Sequence, residues 1–168
     1  MFIFGLEKNT IFMNFFVLRH GKAENIRDNL KDFDRGLSEK GKKQAHKIGQ
    51  FLADKGIEQI ISSSAKRTKE TTSIVNDYIK SNDITFVDEL YLADVSTIKE
   101  KISILAKKDI VLYVGHNFGI SDLVSDLSGQ QITLSTCQLA YFTMEIDDWR
   151  LLSANTGILK ELITPKQL

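Results

Sequence analysis

The sequence is poor in cysteine and histidine, and neither sign of charge is in surplus. One cysteine, Cys137, rules out an internal disulfide. It fits a reducing compartment, so the chain is expected to be cytoplasmic. Cys137 itself reads as a small, partly buried apolar residue. The three histidines, His20, His46 and His116, lack the close His/Cys spacing of a structural zinc site. No metal and no cofactor is expected. Lys plus Arg and Asp plus Glu stand at 22 each, a balance that argues against a broad basic surface for nucleic acid or an anionic membrane but not against a small basic pocket. Met1–Met13 has no long apolar core, no basic start and no small-residue cleavage site. It lacks the pattern of a signal peptide or a membrane span, and neither is expected there. We read 1–13 as an N-terminal extension or a misannotated start, with translation beginning at Met13; the rival reading is an added edge strand or a partner contact. There is no internal repeat, low-complexity stretch or linker. Residues 14–168 therefore form one domain, large enough for a full core.

What is present is an alternation of short apolar runs and amphipathic stretches. Phe15-Phe16-Val17-Leu18 is a buried strand that runs straight into Arg19-His20-Gly21. A charged loop follows, holding Asp28, Asp32, Asp34 and Arg35. Ser38 caps a helix whose buried face is Ala45, Ile48, Phe51 and Leu52, with Gly56 beyond its end. His46 falls between those apolar positions and reads as a surface histidine. Gln59–Ser62 is a second strand, and Ala65-Lys66-Arg67-Thr68 opens a second helix buried through Thr71, Ile74, Val75, Tyr78 and Ile79. Ile84–Val87 is a third strand. Ser96 is the expected cap of a third helix carrying Ile98, Ile102 and Leu105. Ile110–Val114 is the strongest strand and ends in Gly115-His116-Asn117. A fourth helix runs from about Gly119 to Leu127, closed by Gly129. Leu139–Ile146 is then expected to pair in a hairpin with Trp149–Ala154, leaving Ile158–Ile163 peripheral. The pattern implies an α/β three-layer sandwich, a mostly parallel sheet with helices on both faces.

In such a sheet, chemistry collects at the carboxyl ends of the strands. The first and fourth strands each deliver a histidine there, His20 and His116. The first two strand-to-helix turns deliver Arg19 and Arg67. A helix N-terminus already favours anions, and Arg67 adds a fixed cation. Guanidinium forks match phosphoryl oxygens bidentately. A neutral imidazole among cations is a nucleophile. The plain alternative, solvated polar turns, fits any one of these features but not all four together.

Several segments resemble the histidine phosphatase superfamily, of phosphoglycerate mutase-like fold, and within it the small SixA-type phosphohistidine phosphatase branch. Arg19-His20-Gly21 matches the signature triplet. Asp34-Arg35-Gly36-Leu37-Ser38-Glu39-Lys40-Gly41 resembles Asp-Arg-Pro-Leu-Thr-Glu-x-Gly. Ser63-Ser64-Ala65-Lys66-Arg67-Thr68-Lys69-Glu70-Thr71 resembles Ser-Pro-Ala-x-Arg-Thr-x-x-Thr. Leu90-Tyr91-Leu92-Ala93 resembles Leu-Tyr-Leu-Ala, and Val114-Gly115-His116-Asn117-Phe118-Gly119 resembles Val-Gly-His-Asn-Pro-Gly. Prolines are replaced at Gly36, Ser64 and Phe118, which touches turn rigidity rather than chemistry. The likeness runs from about Asn14 to the C-terminus.

The resemblance implies a metal-independent phosphatase. His20 would be the nucleophile that is transiently phosphorylated. Arg19 and Arg67 would hold the phosphoryl oxygens, and His116 would complete the pocket. Larger relatives carry a glutamate that protonates the leaving group; Leu92 stands at that place here. Glu89 and Asp94 are the neighbouring carboxylates that would have to serve as the acid. Without one, alkyl phosphates are poor substrates and phosphohistidine is favoured, because protonated imidazole leaves readily. The implied partner is a phosphorylated protein, at the family level a histidine-containing phosphotransfer domain in signal transduction. The alternatives are a phosphatase of small phosphomonoesters using Glu89 or Asp94, and a non-catalytic phosphate- or protein-binding module of the same fold.

Overall fold

The computed structural model describes residues 12–26 and 29–168. The expected extension over 1–13 lies outside them apart from its last two residues, and so does Asp28. Met13 is the buried first residue of strand β1, Met13–Arg19. The other elements are α1 (Glu39–Leu52), β2 (Gln59–Ser63), α2 (Lys66–Ile79), β3 (Asp83–Val87) and α3 (Val95–Leu105). Then come β4 (Ile110–Gly115), α4 (Gly119–Ser128), β5 (Leu139–Met144) and β6 (Gly157–Ile163). The six strands form one sheet in the order β3-β2-β4-β1-β5-β6. The first four are mutually parallel; β5 and β6 add an antiparallel edge.

Period-two alternation along the strands divides the core between two faces. Phe15, Val17, Val111 and Tyr113 point to α3 and α4, where they meet Ile98, Ile102, Ile120, Leu123 and Leu127. Phe16, Leu18, Leu112 and Val114 point the other way, to Ala45, Ile48 and Leu52 of α1 and Val75 of α2. The result is the expected three-layer α/β sandwich. A parallel sheet covered on both faces needs apolar strands, and β2 and β4 are buried almost throughout.

Three local expectations are corrected. Trp149–Leu151 is a short 3-10 turn, not a strand. The Trp149 indole N–H donates to the Lys108 carbonyl at 2.7 Å, and its ring packs edge-on against Phe15. That anchorage leaves Gly157–Ile163 to pair with β5 as the sheet's edge strand. The third helix is capped by Asp94, whose carboxylate accepts from Thr97 N at 2.8 Å; Ser96 lies inside that helix. Ser38 caps α1 as expected, accepting from Gly41 N. Gly129 ends α4 with φ +68°.

Candidate active site

β1 and β4 are hydrogen-bonded neighbours, and their register sets Arg19 opposite Gly115. The next residue on each strand is a histidine. His20 and His116 therefore meet at the carboxyl edge, with ring centroids 5.1 Å apart. β2 flanks β4 on the other side and ends beside them. There the Ser63 hydroxyl lies 2.8 Å from His116 Nε2. The chain then turns into α2, whose first turn buries Arg67 at 2% exposure.

The hydrogen bonds fix the state of His20. Its Nδ1 lies 2.8 Å from the Gly21 carbonyl, which can only accept. Nδ1 therefore carries the proton. Arg67 Nε–H donates to His20 Nε2 at 3.2 Å, so Nε2 presents a lone pair. Burial pushes the His20 pKa down to about 4; the Gly21 carbonyl opposes this, and Arg67, Arg19 and Arg35 reinforce it. His116 is pushed to about 2 by burial, then by His20 and Arg67. Both imidazoles are neutral near pH 7.

Ser63 Oγ accepts from Ala65 N at 3.4 Å and also meets His116 Nε2. His116 Nδ1 is buried and has no partner among the described residues. Arg19 Nε is in the same condition, while Arg19 Nη1 is held by the Leu134 carbonyl at 2.7 Å. Buried donors are nearly always satisfied. An unmatched guanidinium N–H and an unmatched imidazole nitrogen at this edge of the sheet are what an incoming oxyanion would meet.

Arg67 is held from below and above. Its Nη1 donates to the Asp32 carbonyl at 2.6 Å and its Nη2 to Asp32 Oδ2 at 2.9 Å. Tyr91 O–H donates to the same Oδ2 at 2.6 Å, and Arg35 pairs with Oδ1 at 3.0 Å. Asp32 and Tyr91 are site residues that sequence reasoning did not assign. The signals were there, in the run before Asp34-Arg35 and inside Leu90-Tyr91-Leu92-Ala93, but neither spacing announces a role.

The structure thus brings Arg19, His20, Arg67 and His116 together. It does not bring the two candidate acids with them. Glu89 is exposed and ion-paired with Lys101 at 3.0 Å, which holds its pKa below the usual range. Asp94 is spent on the α3 cap, and the Thr97 and Ser96 hydrogen bonds lower its pKa likewise. Both are ionised near neutrality. Leu92, between them in sequence, is 54% exposed.

Two neutral imidazoles and two guanidiniums at the carboxyl end of a parallel sheet are an arrangement suited to phosphoryl transfer. The comparisons specify the kind. A family model described as the histidine phosphatase superfamily (branch 1) matches residues 15–97. An uncharacterized chloroplastic protein of Arabidopsis thaliana, At3g52155, is 32% identical over 155 residues, covering 84% of this chain and 71% of the relative. The broad-specificity phosphatase YOR283W of Saccharomyces cerevisiae is 33% identical over 73 residues, 41% of this chain and 32% of that protein. A crystal structure from Agrobacterium tumefaciens, assigned as the phosphohistidine phosphatase SixA, superposes with TM-score 0.78 at 26% identity. It spans 91% of this chain and 99% of the other. The chain belongs to the histidine phosphatase superfamily, in its SixA-type branch, and is a phosphatase. Among the described residues no helix is long and apolar enough to cross a membrane.

Proposed function

We propose that this phosphatase hydrolyses phosphohistidine carried on a protein, through a phosphorylated His20. The carrying observation is that both sequence-candidate acids, Glu89 and Asp94, are ionised and tied to other partners. An alkoxide needs a proton as it leaves; an imidazole protonated on its far nitrogen does not. In the first step the His20 Nε2 lone pair attacks phosphorus as the substrate P–N bond breaks and its electron pair returns to the leaving imidazole nitrogen, while Nδ1–H stays on the Gly21 carbonyl. Arg19 Nε, His116 Nδ1 and Arg67 stabilise the three equatorial oxygens. Water then attacks the phosphorylated His20 and releases phosphate.

The rim supports a macromolecular substrate. Phe118 is 81% exposed directly after His116 and Asn117, and Leu92 stands out from the neighbouring loop. The two loops touch: a Cβ on Gly119 would meet the Ala93 carbonyl. Exposed apolar side chains beside a polar pocket suit a protein surface better than a small ester. A histidine-containing phosphotransfer domain is the kind of partner that presents such a residue.

Phosphate release decides the matter, measured from a phosphohistidine protein and from a small phosphomonoester with chelator present throughout. Wild type is expected to prefer phosphohistidine, and His20→Ala to be inert on both while still folded. Preference for the ester sinks the reading, and an active His20→Ala sinks the nucleophile.

A further inference from the structure

Asp32 places a carboxylate at the edge of the proposed phosphate site. It lies against Arg67, on whose other edge Nε reaches the nucleophilic His20 nitrogen. A negative charge there opposes phosphate binding, so its presence asks for a role. We propose that Asp32 is the leaving-group receptor: its carboxylate accepts the N–H of a protonated, phosphorylated imidazole and selects N-linked over O-linked phosphoryl substrates. The inference rests on the phosphohistidine reading and names the residue that enforces it.

Position supports the role. The Asp32 side chain is 38% exposed where Arg67 is 3%, so the carboxylate sits at the rim above a buried guanidinium. The leaving atom departs in line, away from His20. When one imidazole nitrogen bears the phosphoryl group, the other lies across the ring, farther out, toward that rim. A carboxylate has about four acceptor positions. Arg67, Tyr91 and Arg35 use three, and one remains for an incoming N–H.

The carboxylate is also held in place. Tyr91, which donates to it, is wedged edge-on between Phe33 at 5.0 Å and His116 at 5.5 Å. Phe33 follows Asp32 in the same short turn. Burial pushes the Asp32 carboxyl up, but Tyr91, Arg67 and Arg35 outweigh it and hold it below the ordinary range. It stays an acceptor and cannot serve as an acid.

The chemistry balances without a further proton. The phosphorylated ring, protonated on its other nitrogen, is a cation. As His20 Nε2 forms its bond to phosphorus, the P–N bond breaks and its electron pair returns to the leaving nitrogen. The ring departs as neutral imidazole and keeps the N–H that Asp32 holds. An ester oxygen leaving toward the same place would bring negative charge against a carboxylate.

Asp32→Asn tests this, with kcat/KM measured on a phosphohistidine protein and on 4-nitrophenyl phosphate. The phosphohistidine value is expected to fall by about ten- to a hundredfold, the worth of one charge-assisted hydrogen bond. The 4-nitrophenyl phosphate value is expected to rise. The alkaline limb of phosphohistidine turnover should move to lower pH, because the protonated ring loses its stabilising charge. Tyr91→Phe, which keeps the ring and frees the carboxylate, should change the ratio in the same direction by less. Equal losses on both substrates, with an unmoved limb, would mean that Asp32 merely holds Arg67 and would overturn the proposal. Wild type inactive on phosphohistidine would overturn the functional reading and this inference together. Wild type active with an unchanged ratio in Asp32→Asn would overturn the inference alone.

Discussion

His20 is kept neutral by burial and neutral in one tautomer by two hydrogen bonds. In the proposed reaction the neutral form is the one that attacks. Its pKa of about 4 lies below the ordinary 6.5, so the neutral fraction is lost only as pH falls through about 4. The acid limb of kcat/KM on a substrate with a pH-insensitive leaving group should therefore fall near 4. Rates at pH about 5 should still be close to the plateau. A limb near 6.5 would mean that the buried, arginine-flanked environment does not govern His20. The four central residues were legible because each ends a strongly apolar strand or opens a helix, where type and position are both visible. Asp32 and Tyr91 were not. Asp32 sits in a stretch with no periodicity, and its partner Tyr91 lies 59 residues on. A contact of that separation is created by the fold and leaves no local pattern.

The junction of β1 with α1 shows why the Arg-His-Gly turn needs a second glycine elsewhere. A Cβ on Gly21 would lie 2.7 Å from the Gly41 carbonyl oxygen, and one on Gly41 would lie 2.1 Å from that of Lys22. Backbone meets backbone there, and no side chain can move aside. Ser38, capping α1, is bound to the same strand exit through Ser38 N and Oγ on the Lys22 carbonyl. Gly21 N in turn donates to Thr71 Oγ1 of α2 at 3.1 Å. The turn that carries His20 is thus clamped between two helices. Gly41→Ala is expected to cost about 1–3 kcal/mol in stability. It should also lower kcat, because the clamp shifts with the helix. Denaturant unfolding and steady-state rates check both; an alanine that changes neither would show that the helix slides freely. The elements themselves were readable wherever amphipathic period and punctuation agreed, as at Ser38, Gly129 and the four parallel strands. They failed where a tertiary anchor overruled local pattern. Trp149 has strand propensity, yet its indole is drawn to Lys108 and Phe15, and the hairpin partner moves on to β6.

The parallel sheet is covered on both faces, and it buries two histidines at one edge. That burial is what keeps both imidazoles neutral near pH 7, and it carries a cost in acid. In the unfolded chain both imidazoles take up protons as pH falls below about 6.5. In the folded chain His20 resists until about 4 and His116 until about 2. The unfolded state therefore binds more protons throughout that interval, and stability must fall with pH across it. The contribution is fully present above about 6.5. It is lost progressively as pH drops toward and through about 4 for His20, and continues to drop for His116. Each histidine steepens the decline by about 1.4 kcal/mol per pH unit while its two states differ by a proton. Urea unfolding between pH 7 and 4 should accordingly show wild type losing stability faster than His20→Ala. The difference between the two curves should change by about 1.4 kcal/mol per pH unit below about 6.5. Parallel curves would mean that His20 binds its proton alike in both states. The neutral nucleophile, and the acid limb near 4 that follows from it, would then both be lost.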